Sequence, residues 1–334
     1  MSPHTDTRNV EGSERIVALA WVAFVGIVWG TIPLFLRAAD GSSLVKVFFR
    51  CAVAAIGLAI WLAVTGRTRE VTGLSRDKLL QAAVQGLILT VNWALFISAL
   101  DRTSVATAEL LGYTGPVIVA SLAPFVTRER FDVRVLVPLA LSLGGIVVIL
   151  APQGLGIASH RELVGAGLAL ASAFTYATLL LRSKKILSGI TGVALMVIEY
   201  TIASIVLAPV VIAAYLRGDV PSTPRAYAAL IALGLIHTAG TGVIFLGALR
   251  KLRTDHAAIL TYTEPVAAVL FAAAFLGEAL TGWTIAGGAM VVAGGLAVAR
   301  LSPGVEAPAP VEVAGVTTEV AEDESDRVVP PRAQ

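Results

Sequence analysis

Tyr113-Thr114-Gly115-Pro116-Val117 and Tyr262-Thr263-Glu264-Pro265-Val266 are one phrase written twice, 149 residues apart. The same offset extends outward without a gap and lays residues 94–151 over 243–300. Phe96 meets Phe245, Ala99-Leu100 meets Ala248-Leu249, Leu111 meets Leu260, Glu129 meets Glu278 and Gly145 meets Gly294. Alanines and leucines of apolar segments match by chance. A Tyr-Thr-x-Pro-Val core with a glutamate 13 residues after each proline does not, so the chain is read as a duplication.

The duplicated material is too apolar for water. Of 334 residues, 56% are hydrophobic and 14% charged, against about 25% charged in a typical soluble domain. So little polar surface cannot cover a soluble particle of this size. A bilayer-crossing helix needs about 20 mostly apolar residues. Such stretches lie near 16–36, 46–65, 79–100, 104–126, 134–151, 163–182, 192–216, 226–249, 256–276 and 282–300. They are solid apolar runs, whereas a membrane β-barrel requires alternation in strands of about ten residues. The expected fold is an all-α integral membrane protein of ten transmembrane helices, arranged as two inverted five-helix repeats.

The expected organisation is a cytoplasmic leader over 1–15, a first repeat over 16–151, a second over 163–300 and a disordered cytoplasmic tail over 301–334. The first span is too long for a signal-peptide core and follows Asp6, Glu11 and Glu14, so it reads as a retained helix. Prolines 303, 308, 310, 330 and 331 mix with acidic residues in the tail, which has no aromatic.

Lys and Arg set the orientation. Thirteen flank one set of loops: Arg67, Arg69, Arg76, Lys78, Arg128, Arg130, Arg134, Arg182, Lys184, Lys185, Arg250, Lys251 and Arg253. Six flank the other: Arg37, Lys46, Arg102, Arg161, Arg217 and Arg225. The bias puts both termini in the cytoplasm of a multi-pass protein of the plasma (inner) membrane. A repeat with five crossings inverts its second copy, a construction that secondary transporters use to place substrate near the midplane between the halves.

The chain resembles the EamA type of the drug/metabolite transporter superfamily. Trp29-Gly30-Thr31 resembles that family's Trp-Gly-small signature, and Ala171–Leu181 followed by Arg182 resembles the start of its second half. The Pro-Val pairs at Pro116 and Pro265, with Gly277-Glu278, resemble its fourth and ninth helices. Arg128 departs from the pattern, standing where a glycine would precede Glu129. The resemblance covers roughly residues 16–300 and implies a ten-helix carrier of small metabolites, amino acids or related compounds.

An uncompensated charge at a helix centre costs about 2.5–3.5 kcal/mol on an insertion scale, so charged residues within spans are candidates for a watery cavity. Glu264 falls close to the midplane beside helix-kinking Pro265, and its repeat counterpart is Gly115. Tyr262 precedes it in the repeated phrase. Glu109, Tyr113 and Pro116 are spaced i, i+4 and i+7 on one face of the fourth span. Arg50 and Glu199 occupy matching positions in the second and seventh spans, which inversion should hold apart. Asn92 is the deepest of a polar stripe with Gln81 and Gln85, continued by Phe96. His237 sits among Gly234, Gly240, Thr241 and Gly242, and packing around a hydrogen-bonded ring is its simpler reading. Trp29 and Tyr176 fall at comparable places in the two halves and complete the candidate substrate and proton site. The pairs Gly144-Gly145, Gly287-Gly288 and Gly294-Gly295 read as close helix contacts.

No cofactor is expected. Cys51 is the single cysteine, and no His, Cys or Asp set has ligand spacing, so a metal site has no support. No phosphate-binding loop or nucleophile elbow is present, and a net charge of +2 gives no sign of a nucleic-acid partner. The expected partners are a small-molecule substrate, protons and membrane lipids; oligomeric state stays open. The reading is secondary transport, most simply export by alternating access with Glu264 changing protonation. A lipid or cationic-drug flippase on the same scaffold is the alternative and predicts a net acidic cavity. An intramembrane enzyme lacks a visible nucleophile, and a channel lacks a charge ring.

Overall fold

Helix is the only way a lone segment satisfies its own backbone in hydrocarbon. The computed structural model describes residues 4–127, 129, 132–154, 157–277 and 280–301. Among them are ten helices long and apolar enough to cross a membrane: α1 Ser13–Ala38, α2 Ser43–Val64, α3 Arg76–Leu100, α4 Val105–Val126, α5 Val133–Leu150, α6 His160–Ile186, α7 Gly192–Leu216, α8 Pro224–Leu249, α9 Thr254–Leu276 and α10 Gly282–Leu301. Every boundary falls within four residues of the sequence reading. The tail over 302–334, together with Arg128 and Glu278, lies outside the described residues.

Several helices are irregular, and prolines account for the breaks in three of them. α4 and α9 both break at the repeated phrase, between Gly112 and Gly115 and between Leu260 and Thr263. Pro265 has no N–H for the carbonyl one turn back. The Glu264 N–H instead reaches the Thr261 carbonyl at 2.9 Å, a tightened turn. α1 breaks at Gly30-Thr31, just ahead of Pro33. α8 carries a π-helix over Leu233–Gly240.

Packing follows the duplication. α5 packs on α10, α2 on α7 and α4 on α9; α3 packs on α6 and α7, while α8 packs on α1 and α2; α4 meets α6 as α9 meets α1. Exchanging each helix with the one five places on leaves this set unchanged. The α5–α10 contact is a glycine crossing: a Cβ on Gly145 would lie 2.5 Å from the Gly287 carbonyl oxygen, and one on Gly287 the same distance from that of Gly145. Neither helix contributes to the cavity described next, so this pair braces the fold from outside it.

Candidate functional site

A cavity of about 520 Å³ lies between the halves, walled by α1, α2, α3, α6, α7, α8 and α9. It reaches the α1–α2 connection and the end of α3, where Ser43 is exposed and Leu36, Lys46 and Leu100 are half-buried. At its other end it stops at Ser183, Glu199 and Leu246. Beyond them Leu187, Ile190, Leu195, Leu249 and Leu252 are buried in the main apolar core.

Arg50 projects from α2 and is positioned by two other helices. Its Nε donates to the Thr238 hydroxyl at 2.6 Å, and its guanidinium lies 5.2 Å from the centre of the Trp93 ring. The Thr238 hydroxyl in turn donates to the Leu233 carbonyl at 2.8 Å, five residues back, as the π-helix permits. A guanidinium over a ring in the cavity wall is suited to a planar carboxylate. The partners of Arg50 are thus a hydroxyl and an indole ring.

α1 is stitched to the same π-helix. The Trp29 indole donates to the His237 carbonyl at 3.1 Å and to the Thr241 hydroxyl at 2.8 Å. Thr31 and the His237 Nε2 share a 2.7 Å hydrogen bond, and the imidazole packs 4.7 Å from the Phe35 ring. Trp29 and His237 therefore line the cavity while already hydrogen-bonded to each other's helices. On α3, the Asn92 amide donates to the Ser172 carbonyl at 2.6 Å and to the Thr175 hydroxyl at 2.9 Å, tying the wall to α6. Gln85 does the same lower down, to the Leu179 carbonyl and the Ser183 hydroxyl. Gln81, the third member of that stripe, is exposed.

Glu199 and Glu264 line the cavity from α7 and α9. Glu264 stands within electrostatic reach of both Arg50 and Glu109. The repeat explains why only one half carries this carboxylate. At Gly115, its counterpart, a Cβ would lie 2.7 Å from the Tyr176 ring, which fills that place and forms part of the wall.

Seven residues singled out from the sequence thus share one cavity: Trp29, Arg50, Asn92, Tyr176, Glu199, His237 and Glu264. Glu109, Tyr113 and Tyr262 stand outside its wall. Tyr113 and Tyr262 face each other where α4 meets α9, and the break in α4 interrupts the face that was to join Glu109 to Pro116. Sequence reasoning missed Lys46, Trp93, Tyr200 and Thr238. Lys46 had been placed with the connecting loops; it sits in the wall with its Nζ on the Leu36 carbonyl at 3.2 Å. With Glu109 out and Lys46 in, two cations and two carboxylates line the cavity, and the acidic excess that the flippase alternative predicts is not there.

The model of the EamA-like transporter family matches residues 16–151 and again 163–300, one copy per repeat. An uncharacterized transporter of Archaeoglobus fulgidus is 30% identical over 276 residues, covering 82% of this chain and 93% of that protein. The uncharacterized transporter YxxF of Bacillus subtilis is 24% identical over 277 residues, covering 80% and 85%. A solved crystal structure shares the fold with a TM-score of 0.73 at 18% identity, over 85% of this chain and 98% of the other. A ten-helix chain whose two halves each match that model is a multi-pass membrane transporter, and it belongs to the EamA-like transporter family.

Proposed function

We propose that the protein is a secondary transporter that moves small metabolites, amino acids or related compounds, outward across the plasma (inner) membrane by alternating access. One observation carries this reading: a cavity of about 520 Å³, walled by both repeats and lined by Arg50, Glu199 and Glu264 among Trp29, Trp93, Phe96 and Tyr200. The size suits one small molecule. The guanidinium takes a carboxylate, the glutamates take an ammonium group or a proton, and the rings take an apolar side chain. Five crossings per repeat turn the second copy upside down, so rocking one half against the other would expose the cavity to each side in turn. The basic loops put the sealed end in the cytoplasm together with both termini. Glu264 is the residue assigned to proton exchange.

Counterflow in proteoliposomes tests the reading. Vesicles preloaded with unlabelled amino acids should accumulate labelled amino acid transiently, and vesicles preloaded with cationic drugs should not. Accumulation with drugs alone would replace the reading by the flippase alternative, which the balanced charge of Arg50 and Lys46 against Glu199 and Glu264 disfavours. No accumulation by either class from folded protein would remove both substrate classes.

A further inference from the structure

Two ties at one end of the molecule have counterparts at the other. Toward the mouth, the Asp40 carboxylate accepts from the Ser222 backbone and hydroxyl, joining the α1–α2 and α7–α8 connections. Arg161 donates to the Asp101 carbonyl at 2.7 Å, joining the start of α6 to the α3–α4 connection. Shifted by one repeat, these become ties between the α6–α7 and α2–α3 connections and between the start of α1 and the α8–α9 connection. Both exist at the sealed end: Thr191 donates to Glu70 at 2.5 Å, and Lys251 pairs with Glu14 at 2.9 Å.

A further tie at the sealed end joins the α6–α7 connection to the α8–α9 connection. Arg250 Nη2, at the end of α8, donates to the carbonyls of Leu187 and Ile190, just past α6, at 2.8 and 2.7 Å. Lys184, in the last turn of α6, reciprocates: its Nζ donates to the Leu249 carbonyl at 2.7 Å and to that of Leu252. Carbonyls at helix ends lack intrahelical partners and carry partial negative charge, which suits both cations. The counterparts of Arg250 and Lys184 are Asp101 and Phe35, and neither supplies a cation. Between those two connections the mouth stands open. Leu100 lines the cavity there, whereas its counterpart Leu249 is fully buried (0% exposed).

We propose that Arg250 and Lys184 form a reciprocal clasp that holds the sealed end of the cavity shut, and that opening toward that end breaks it. The clasp rests on the transport reading for its purpose, but it gates access whether or not a substrate is known. Its cations grip backbone rather than side chains, so the apolar seal of Leu187, Ile190, Leu249 and Leu252 stays closed while each helix end stays in register with the other.

Access to a single thiol tests it. Cys51 is the chain's one cysteine, so Leu246→Cys at the cavity floor in a Cys51→Ala background gives one reporter. The probe is a membrane-impermeant maleimide, applied to proteoliposomes of known orientation from either side. With the clasp intact, labelling from the sealed side should be slow. Arg250→Met with Lys184→Met should accelerate it by about tenfold or more, the factor for losing one charge-assisted hydrogen bond, and Lys184→Arg with Arg250 intact should keep labelling slow. Labelling from the mouth side reports that the cavity is still formed. If the double variant does not yield monodisperse protein, Arg250→Gln and Lys184→Gln singly carry the test. An unchanged rate from the sealed side in folded variants overturns the clasp even if counterflow succeeds. An accelerated rate upholds it even if every substrate panel is flat.

Discussion

The Tyr262 hydroxyl donates to the Tyr113 backbone carbonyl at 2.5 Å, and each of these residues is the other's counterpart across the 149-residue repeat. Their rings meet edge to face with centroids 6.0 Å apart. Counterparts can touch only where the axis relating the two halves passes between them. The bond therefore marks that axis, and it does so at the broken turns of α4 and α9.

Tyr262→Phe keeps the ring and deletes the donor. The Tyr113 carbonyl, at a break where helix bonding is already incomplete, would lose its partner in a fully buried site (Tyr262 is 0% exposed). The expected loss is about 1–3 kcal/mol, seen as a lower melting temperature in detergent. An unchanged melting temperature would show that the bond adds no stability.

Glu264→Gln preserves shape and removes the ionisable group. Counterflow measured over a pH series should fall by about tenfold or more and lose its dependence on pH. Wild-type rates with an unchanged pH profile would end the proton role assigned to Glu264.

Arg50→Lys retains the charge but loses the planar fork, the Trp93 stack and the Nε bond to Thr238. KM for an amino acid should rise about tenfold, while that for its methyl ester, which has no carboxylate, should change little. Equal effects on acid and ester would place the substrate carboxylate elsewhere.

Gly145→Val pushes a branched side chain into the Gly287 carbonyl at the α5–α10 crossing. Overpacking of this kind costs about 1–3 kcal/mol, so the yield of folded protein and its melting temperature should drop. Because neither helix reaches the cavity, KM of the surviving protein should match wild type; a changed KM would mean that this brace shapes the site.

Glu129 connects the halves outside the spans, accepting from the Thr254 N–H and hydroxyl at 3.1 and 2.9 Å. Burial raises its pKa, more than the Thr254 bonds lower it. A raised carboxyl favours the folded state while protonated, so its contribution is full below the usual carboxylate range and is lost as pH rises through the raised value. Melting temperature should therefore fall across that window in wild type and less in Glu129→Gln. Parallel curves for the two proteins would show that Glu129 contributes nothing to the pH dependence.

The span limits and the duplication were legible because both are written in composition and in one repeated phrase. Wall membership was legible where a polar group is costly in hydrocarbon, as for Arg50, Asn92 and Glu264. It was not legible for Trp93 or Tyr200, since an aromatic faces lipid, packing or cavity with equal ease. Nor did the sequence distinguish Glu109 from Glu264: both are carboxylates within spans, and only one of them lines the wall. The π-helix of α8 has no proline to announce it. Its evidence is geometric, in bonds such as that from Thr238 to a carbonyl five residues back.

That π-helix has a further consequence for the shape of α8. A π turn closes on the fifth residue back rather than the fourth, so Leu233–Gly240 holds its eight residues in a wider, shorter coil than an α-helix would. Rewound as α, the segment would lengthen and rotate everything after it about the helix axis, carrying Phe245, Leu246 and Leu249 with it. The indole of Trp29 and the guanidinium of Arg50 bond to this coil at His237 and Thr238, and the indole also to Thr241 just past it. The groups that bond to this short coil therefore stand in the cavity wall.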